Sequence, residues 1–352
     1  MISYIPFLKA KQGELTAMSE LAPNVKKLIC PFFDFPRKKK YDAALFATKT
    51  DRIASGLKRH WGSETEFYFD DLDVKEKLTV EGRQQYAYLL GALKGLRVIP
   101  VVGLDRSMHN AAVADLKRNG KIDSPVVTFR AHPQDFEDFD GQQEEIECNL
   151  DEVFNEFQEI DLVLDCQLCT GLDVSTTAQQ IAAFAQKFSA VYKKVRRVIV
   201  TGSCIPPSIR DVLATDEATT LPRCELEIIA KTRDLSEGDV VVGDYTTVSP
   251  FYSDADLDPK LFQKVMTPRL TYAFKRSFYI SRGSSLQSGG QDQYVGLTKE
   301  LCGQSFFRPG YSLGEDYFYE KSKGIGKRAM NGTVVKPSVV AHITYMVLGA
   351  KL

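Results

Sequence analysis

Lys9, Lys11, Asp34, Asp70, Arg130, Asp165, Ser203 and Asp244 each stand at or just past the end of a short apolar run. Carboxylates gathered beside lysine and arginine can bind a divalent metal and a phosphate, or do acid–base work with shifted pKa values. The clearest case is Asp239–Pro250. There Val240, Val241 and Val242 form a β-branched run suited to a strand covered on both faces, and Gly243 lets the backbone turn. Asp244 and Tyr245 are left at the strand's carboxyl end, where α/β proteins usually carry ligands or chemistry. The competing reading is that charged residues simply cap strand ends in any barrel.

Recognised motifs account for little of this. Cys166 and Cys169 have the spacing of a metal-ligand pair or a dithiol, but no second pair or His-x-x-x-His completes a zinc set, so they read as structural. His60, His109, His132 and His342 are scattered, and only His132 follows a strand end. Gly324-Ile-Gly326-Lys327-Arg328 lacks the spacing of a phosphate loop, with Arg328 where a hydroxyl residue would hold magnesium. Gly202-Ser203-Cys204 is not a nucleophile elbow, because Ile205 stands where a second Gly is needed. The basic run Arg37–Lys40 reads as a solvated loop, with phosphate or nucleic-acid contact as the minority reading.

The elements that must position these residues alternate strand with helix. Strands are expected at Tyr4–Ala10, Lys27–Phe33, Thr65–Phe69, Arg97–Val102, Ser124–Phe129, Asp161–Leu164, Arg197–Val200 and Val240–Val242. Helices are expected at Glu14–Leu21, Ala43–Leu57, Gly82–Leu96, Leu150–Phe157, Thr177–Lys194 and Glu225–Thr232. Eight strands spread over about 250 residues match a (β/α)8 barrel. A doubly wound open sheet is the rival, but no Gly-rich phosphate turn follows the first strand. Residues 1–250 are therefore expected to form the barrel, and 251–352 a C-terminal extension packed on or across its carboxyl face. Within that extension Thr271–Ile280 reads as strand or helix, Ser284–Gly290 as a mobile loop, and Val334–Val347 as a last strand or a closing helix.

Composition bounds the classes. The chain has 352 residues, 43% hydrophobic and 26% charged, with a formal net charge of −1. That balance gives no global attraction to nucleic acid or anionic lipid, and no apolar run approaches a membrane span. Lys9 and Lys11 interrupt the N-terminal stretch, which argues against a secretory signal, and the expected location is cytoplasmic. Seven cysteines are too sparse for a disulfide scaffold, in keeping with a reducing compartment.

The segments Tyr4-Ile-Pro-Phe-Leu-Lys9-Ala-Lys11-Gln-Gly13-Glu14, Cys30-Pro-Phe-Phe-Asp34, Gly243-Asp244-Tyr245-Thr246 and Ala341-His342-Ile-Thr-Tyr345 together resemble the Beta protein family. That family is named for a protein of the gop–beta–cII locus of an enterobacterial satellite phage. The resemblance spans nearly the whole chain and implies an antiphage defence role, in which a toxic Gop-like protein encoded in the same operon is the partner that Beta restrains or cooperates with. It assigns no catalytic residues; the matching positions are Lys9, Lys11, Glu14, Asp34, Asp244, Tyr245 and His342.

Two functional classes follow. One is a non-enzymatic partner that neutralises a toxin, with no cofactor and no metal site. The other is a phosphodiesterase or nuclease-like hydrolase using a divalent metal at the barrel mouth, with Asp34, Asp165, Asp244, Tyr245 and His342 as catalytic candidates. In either class, Lys9, Lys11, Glu14, Arg130 and Ser203 are the candidates for binding an anionic or nucleic-acid ligand.

Overall fold

The computed structural model describes residues 2–74, 77–236, 238–252, 266–290 and 292–350. Eight parallel strands close into a barrel: β1 (Tyr4–Lys9), β2 (Phe32–Asp34), β3 (Phe67–Asp70), β6 (Val98–Val102), β7 (Val126–Ala131), β8 (Glu159–Leu168), β9 (Val195–Ser203) and β11 (Val240–Asp244). Closure is made by β1, which pairs with β2 on one side and with β11 on the other. The chain is thus a (β/α)8 barrel, and its strand ends converge on one mouth.

Period-two alternation sorts each strand between two apolar layers. Ile5, Phe7, Phe32, Tyr68, Ile99, Val101, Val163 and Ile199 point inward and fill the barrel's centre. Leu8, Phe33, Phe69, Val102, Phe129, Leu162, Val200 and Val242 point outward and bury the helices. At the amino-terminal end of the barrel the fully buried Asp161 accepts hydrogen bonds from Tyr68 and Arg196. A polar layer therefore seals each end of an aromatic and aliphatic middle.

Seven helices of the outer ring follow their strands in order: α1 (Gln12–Glu20), α3 (Ala43–His60), α4 (Gln85–Ala92), α5 (Ser107–Arg118), α6 (Phe139–Glu156), α7 (Val174–Val191) and α8 (Cys224–Leu235); α2 (Pro23–Lys26) is a single turn beside them. The eighth position is filled by the final helix, Asn331–Leu348, which packs against α1, β1 and α2. Pro337 falls early in this closing helix. Gly13 on α1 permits the contact, because a Cβ there would lie 2.8 Å from Val335 Cγ1.

Between β11 and the closing helix the chain builds an annex. A hairpin of β12 (Arg269–Phe274) and β13 (Ser277–Arg282) pairs antiparallel with β10 (Glu217–Pro222), a strand borrowed from the loop after β9. Helices Gln293–Cys302 and Leu313–Ser322 pack on it around Tyr272, Phe307 and Phe318. The extension is thus shared between a lobe beside the mouth and the last helix of the ring.

Several elements differ from the sequence-based expectation. Thr271–Ile280 is neither one strand nor one helix but most of a hairpin, turning at Lys275 with φ +47°. Ser284–Gly290 is not featureless, since Leu286–Gly289 forms a helical turn capped by Ser285. The helix expected at Leu150–Phe157 begins earlier, because Phe139–Glu156 is one continuous helix with Asp138 as its N-cap. Helix α5 and the short hairpin of β4 (Thr79–Val80) and β5 (Arg83–Gln84) had no expected counterpart. Part of the 251–352 extension, residues 253–265, 291 and 351–352, lies outside the described residues.

Candidate active or binding site at the barrel mouth

The inward residues at the carboxyl ends of five strands meet around one arginine. Arg130, on β7, is 2% exposed. Its Nη1 donates to Asp34 Oδ1 and Asp70 Oδ2, each at 2.8 Å. Its Nε and Nη2 donate to Asp165 Oδ2 at 3.0 and 2.8 Å, and Nη2 also lies 2.7 Å from the Tyr245 hydroxyl. Tyr245 in turn donates to Asp165 Oδ2 at 2.5 Å. Below, the guanidinium rests on the rings of Phe32 and Phe7, 5.1 and 5.7 Å from their centroids.

Two more cations close the ring. Lys9 Nζ is 2.9 Å from Asp34 Oδ2 and also reaches the Pro250 carbonyl. Arg106 Nη1 is 2.5 Å from Asp70 Oδ1. Three buried carboxylates thus meet three cations, Arg130, Lys9 and Arg106, and at the edge Asp73 and Asp105 add further ion pairs to Lys9 and Arg106. Burial alone would raise the Asp34 and Asp70 carboxyls, but the guanidinium and ammonium groups outweigh it and hold both below the ordinary carboxylate range. The same carboxylates push Arg106 and Arg130 upward despite their burial.

Spare hydrogen-bonding capacity remains on one side of this knot. His132, 5% exposed, lies just past β7, and its Nε2 has no partner among the described residues; neither has Arg106 Nη2. Burial and the neighbouring Arg130 press the imidazole down to about 4, so it is neutral at pH 7. Backbone strain gathers here too. Gln167, in the irregular stretch near the end of β8, and Thr246, just past β11, each have φ +54°, and the carboxylates of Asp165 and Asp244 accept their amide N–H groups. For a β-branched threonine that conformation is costly, and it tends to mark ligand-facing loops.

Asp244 does not join this bowl. The residue beside Tyr245 on β11 must point to the opposite face, so its carboxylate lies between the barrel and the closing helix. There it accepts from Tyr4 Oη at 2.5 Å, from Arg223 Nη2 at 2.5 Å and from His342 Nε2 at 2.9 Å. Arg223 also binds Glu225 at 2.7 Å and stacks over Phe278 of the annex. His342 and the Arg223 guanidinium outweigh burial and hold Asp244 well down, while burial lowers His342 and raises Tyr4. His342 is therefore a structural partner of Asp244, about one barrel wall away from the bowl.

The remaining candidates divide between mouth and loop. Ser203 is buried, its hydroxyl committed to the Ile205 amide and the Val248 carbonyl. Lys11 is exposed at the rim, with Nζ 4.7 Å from the Tyr252 ring centre; Lys9 flanks the same ring at 5.1 Å. Glu14 is buried in the first turn of α1, and burial raises its carboxyl against the pull of Lys11 and Lys9. The sequence reading passed over Arg106, Arg223 and the role of His132. Arg106 follows Asp105 just past a strand end, which was a usable signal, whereas Arg223 sits in a loop and carried none.

A divalent metal does not fit the bowl as built. Its carboxylate oxygens are already taken by guanidinium and ammonium hydrogens and, at Asp165 Oδ1, by the Gln167 amide, and an incoming cation would have to displace Arg130. Cys166 and Cys169 sit together at the end of β8, and no cluster of three or more metal-ligating side chains occurs among the described residues.

The fold and site define a (β/α)8 barrel whose mouth holds a buried arginine–carboxylate knot. The chain belongs to the Beta protein family, which matches residues 4–348. No curated protein matches it significantly. Similar solved structures include the crystal structure of 3-keto-D-glucoside 4-epimerase, YcjR, from E. coli in its apo form. It shares 11% identity at a TM-score of 0.30, over 74% of this chain and 95% of that one. A likeness at that level says nothing of this chain's chemistry. No helix among the described residues is long and apolar enough to cross a membrane.

Proposed function

We propose that this chain is the restraining component of an antiphage defence locus, acting on a toxic Gop-like partner encoded beside it, and that its barrel mouth binds rather than breaks bonds. Membership of the Beta protein family supports the defence role. The observation that carries the second half is the saturation of Arg130 by Asp34, Asp70 and Asp165. Asp34 and Asp70, held below their ordinary range, are poor general acids, and all three carboxylates are committed to the guanidinium rather than free to ligate a metal.

The test is co-expression with the neighbouring toxic protein, scoring growth rescue and phage protection in parallel. The chosen variants are Tyr245→Phe, which removes a hydroxyl but no charge, and Asp165→Asn, with folding followed by thermal melts. Both phenotypes should survive in every variant that melts like the wild type. Loss of protection by a folded Tyr245→Phe would favour the hydrolase, and absence of rescue by the wild type would end the restraint reading.

A further inference from the structure

We propose that Cys204 and Cys224 form a peroxide-sensitive dithiol, whose oxidation to a disulfide clamps the annex to the barrel. Cys204 stands just past β9, and Cys224 is the first residue of α8, 20 residues further on. Their sulfurs approach to 2.9 Å, with the Cys204 thiol donating to Cys224 Sγ, and the Cys224 amide donates to Cys204 Sγ at 3.1 Å. A disulfide holds its sulfurs about 2.05 Å apart, so only a small side-chain movement separates the two states.

A cysteine reacts through its thiolate, and both a helix N-terminus and a hydrogen-bond donor favour that form. Cys224 has both, since it opens the 12-residue helix α8 and accepts from the Cys204 thiol. That hydrogen bond outweighs partial burial and draws Cys224 down to about 7, so it is largely thiolate at pH 7.5. Cys224 is also partly exposed and open to a small oxidant, whereas Cys204 is buried. The hydrogen bond to Cys224, burial and the neighbouring Glu225 push Cys204 up, so it keeps its proton until it is needed. Cys30 and Cys169, by contrast, are buried and pushed up, as inert core thiols are.

The oxidant is a hydroperoxide, of which hydrogen peroxide is the smallest. The Cys224 thiolate attacks one peroxide oxygen and the O–O bond breaks. The sulfur gives up two electrons and becomes a sulfenic acid, and the departing hydroxide takes a proton from solvent to leave as water. The Cys204 sulfur then attacks the sulfenic sulfur, its proton leaves with the hydroxyl as a second water, and the S–S bond forms. Two equivalents of a small thiol reverse the reaction by exchange and are themselves oxidised to a disulfide. The pair sits at the neck of an excursion. The chain leaves the barrel at Ser203, lays β10 against β13 of the annex, and returns through Arg223, whose amide donates to the Arg276 carbonyl at 3.1 Å. A bond across that neck closes the loop covalently and restricts the ways in which β10 can come away.

The inference is independent of the restraint of a toxic partner, and its test needs only the purified full chain. The reduced protein is treated with hydrogen peroxide at pH 7.5, remaining thiols are blocked with N-ethylmaleimide, and peptides are mapped by mass spectrometry without reduction. The expected product is an intramolecular Cys204–Cys224 disulfide that dithiothreitol reverses. Cys204→Ser should halt the reaction at a sulfenic acid on Cys224, trapped by dimedone, and Cys224→Ser should leave Cys204 a free thiol. The wild-type peptide map decides the pairing whether or not either variant folds. Oxidised wild type should melt about 3–8 °C above the reduced form. Hydrogen exchange should slow in β10 and the β12–β13 hairpin, and not in β3 on the far wall of the barrel. Both thiols still free after peroxide, or Cys204 bonded to Cys169 instead, would overturn the assignment. Unchanged exchange in β10 of a chain whose disulfide has formed would overturn the clamp.

Discussion

Two buried ionic knots lie back to back on the wall of this barrel. The inner one surrounds Arg130 with Asp34, Asp70 and Asp165 at the mouth; the outer one surrounds Asp244 with Tyr4, Arg223 and His342 under the closing helix. Each places one charged group among several of opposite or complementary character, and consecutive residues at the end of β11, Asp244 and Tyr245, feed one knot each. They differ in what surrounds them. The inner knot borders left-handed backbone at the barrel mouth, while the outer knot is packed under the closing helix against Phe278 and Met346; beside each stands an imidazole with one ring nitrogen unpaired among the described residues, His132 Nε2 and His342 Nδ1. The inner knot is thus placed to meet a ligand. The outer one fastens the eighth helix to the barrel, and a residue's charge alone does not tell the two roles apart.

Removing Arg130 should separate them most sharply. Arg130→Met leaves three carboxylates facing one another with only Lys9 and Arg106, and breaking a buried pair by deleting one partner costs about 3–5 kcal/mol. Denaturant titration should show that loss, and Arg130→Lys should recover only part of it, because an ammonium cannot reach three carboxylates in a fork geometry. Asp244→Asn should cost less, about 1.5–3 kcal/mol, since Arg223 keeps Glu225 and the amide still accepts one hydrogen bond. Hydrogen exchange should then quicken in the closing helix, Asn331–Leu348, and not at the mouth. An equal response in both regions would mean the knots are one cooperative unit.

Acid should reach both knots, through different groups. His132 is neutral in the fold and its folded pKa of about 4 lies below the ordinary value, so the unfolded chain binds more protons between those two pKa values. Its contribution is complete above about pH 6.5, the unfolded value, and is lost as pH falls toward 4, by an amount on the order of 1–3 kcal/mol. His342 is lowered in the same direction from the outer knot. Asp34, Asp70 and Asp244 are also lowered, so the stability they add is present above about pH 4 and goes below it. Denaturation midpoints between pH 7.5 and 4 should flatten in His132→Gln. An unchanged slope would mean the imidazole titrates alike in both states.

A smaller effect should come from Gly13→Ala. The substitution favours a helix intrinsically, by up to about 1 kcal/mol. Its Cβ would nevertheless press on Val335, and the resulting strain at the seam should leave the variant less stable by about 1 kcal/mol. The loss would loosen the outer knot without touching any charge. The smallest change in stability belongs to Lys11→Gln, within about 0.5 kcal/mol at this exposed position.

Much of this architecture was legible in the residues alone. The strand–helix rhythm and the apolar runs ending in Lys9, Asp34, Asp70, Arg130, Asp165 and Asp244 determine a barrel and one polar end, because a parallel strand buried on both faces must be apolar until it leaves the barrel. Alternation within a run also assigns Asp244 and Tyr245 to opposite faces, though not which of them points inward. That choice was made by barrel closure, when β1 paired with β11 in the register Pro6 to Asp244.

The tertiary structure alone decided the partners. Arg130 meets carboxylates 60 and 96 residues away in sequence, and Asp244 meets a histidine 98 residues away. It likewise opposed Arg269 to Arg282 and made the chain's last helix the eighth of the ring. Sequence patterns report local periodicity and burial, which act over a few residues. Charge pairing and helix docking act through space, and no local signal carries the distance.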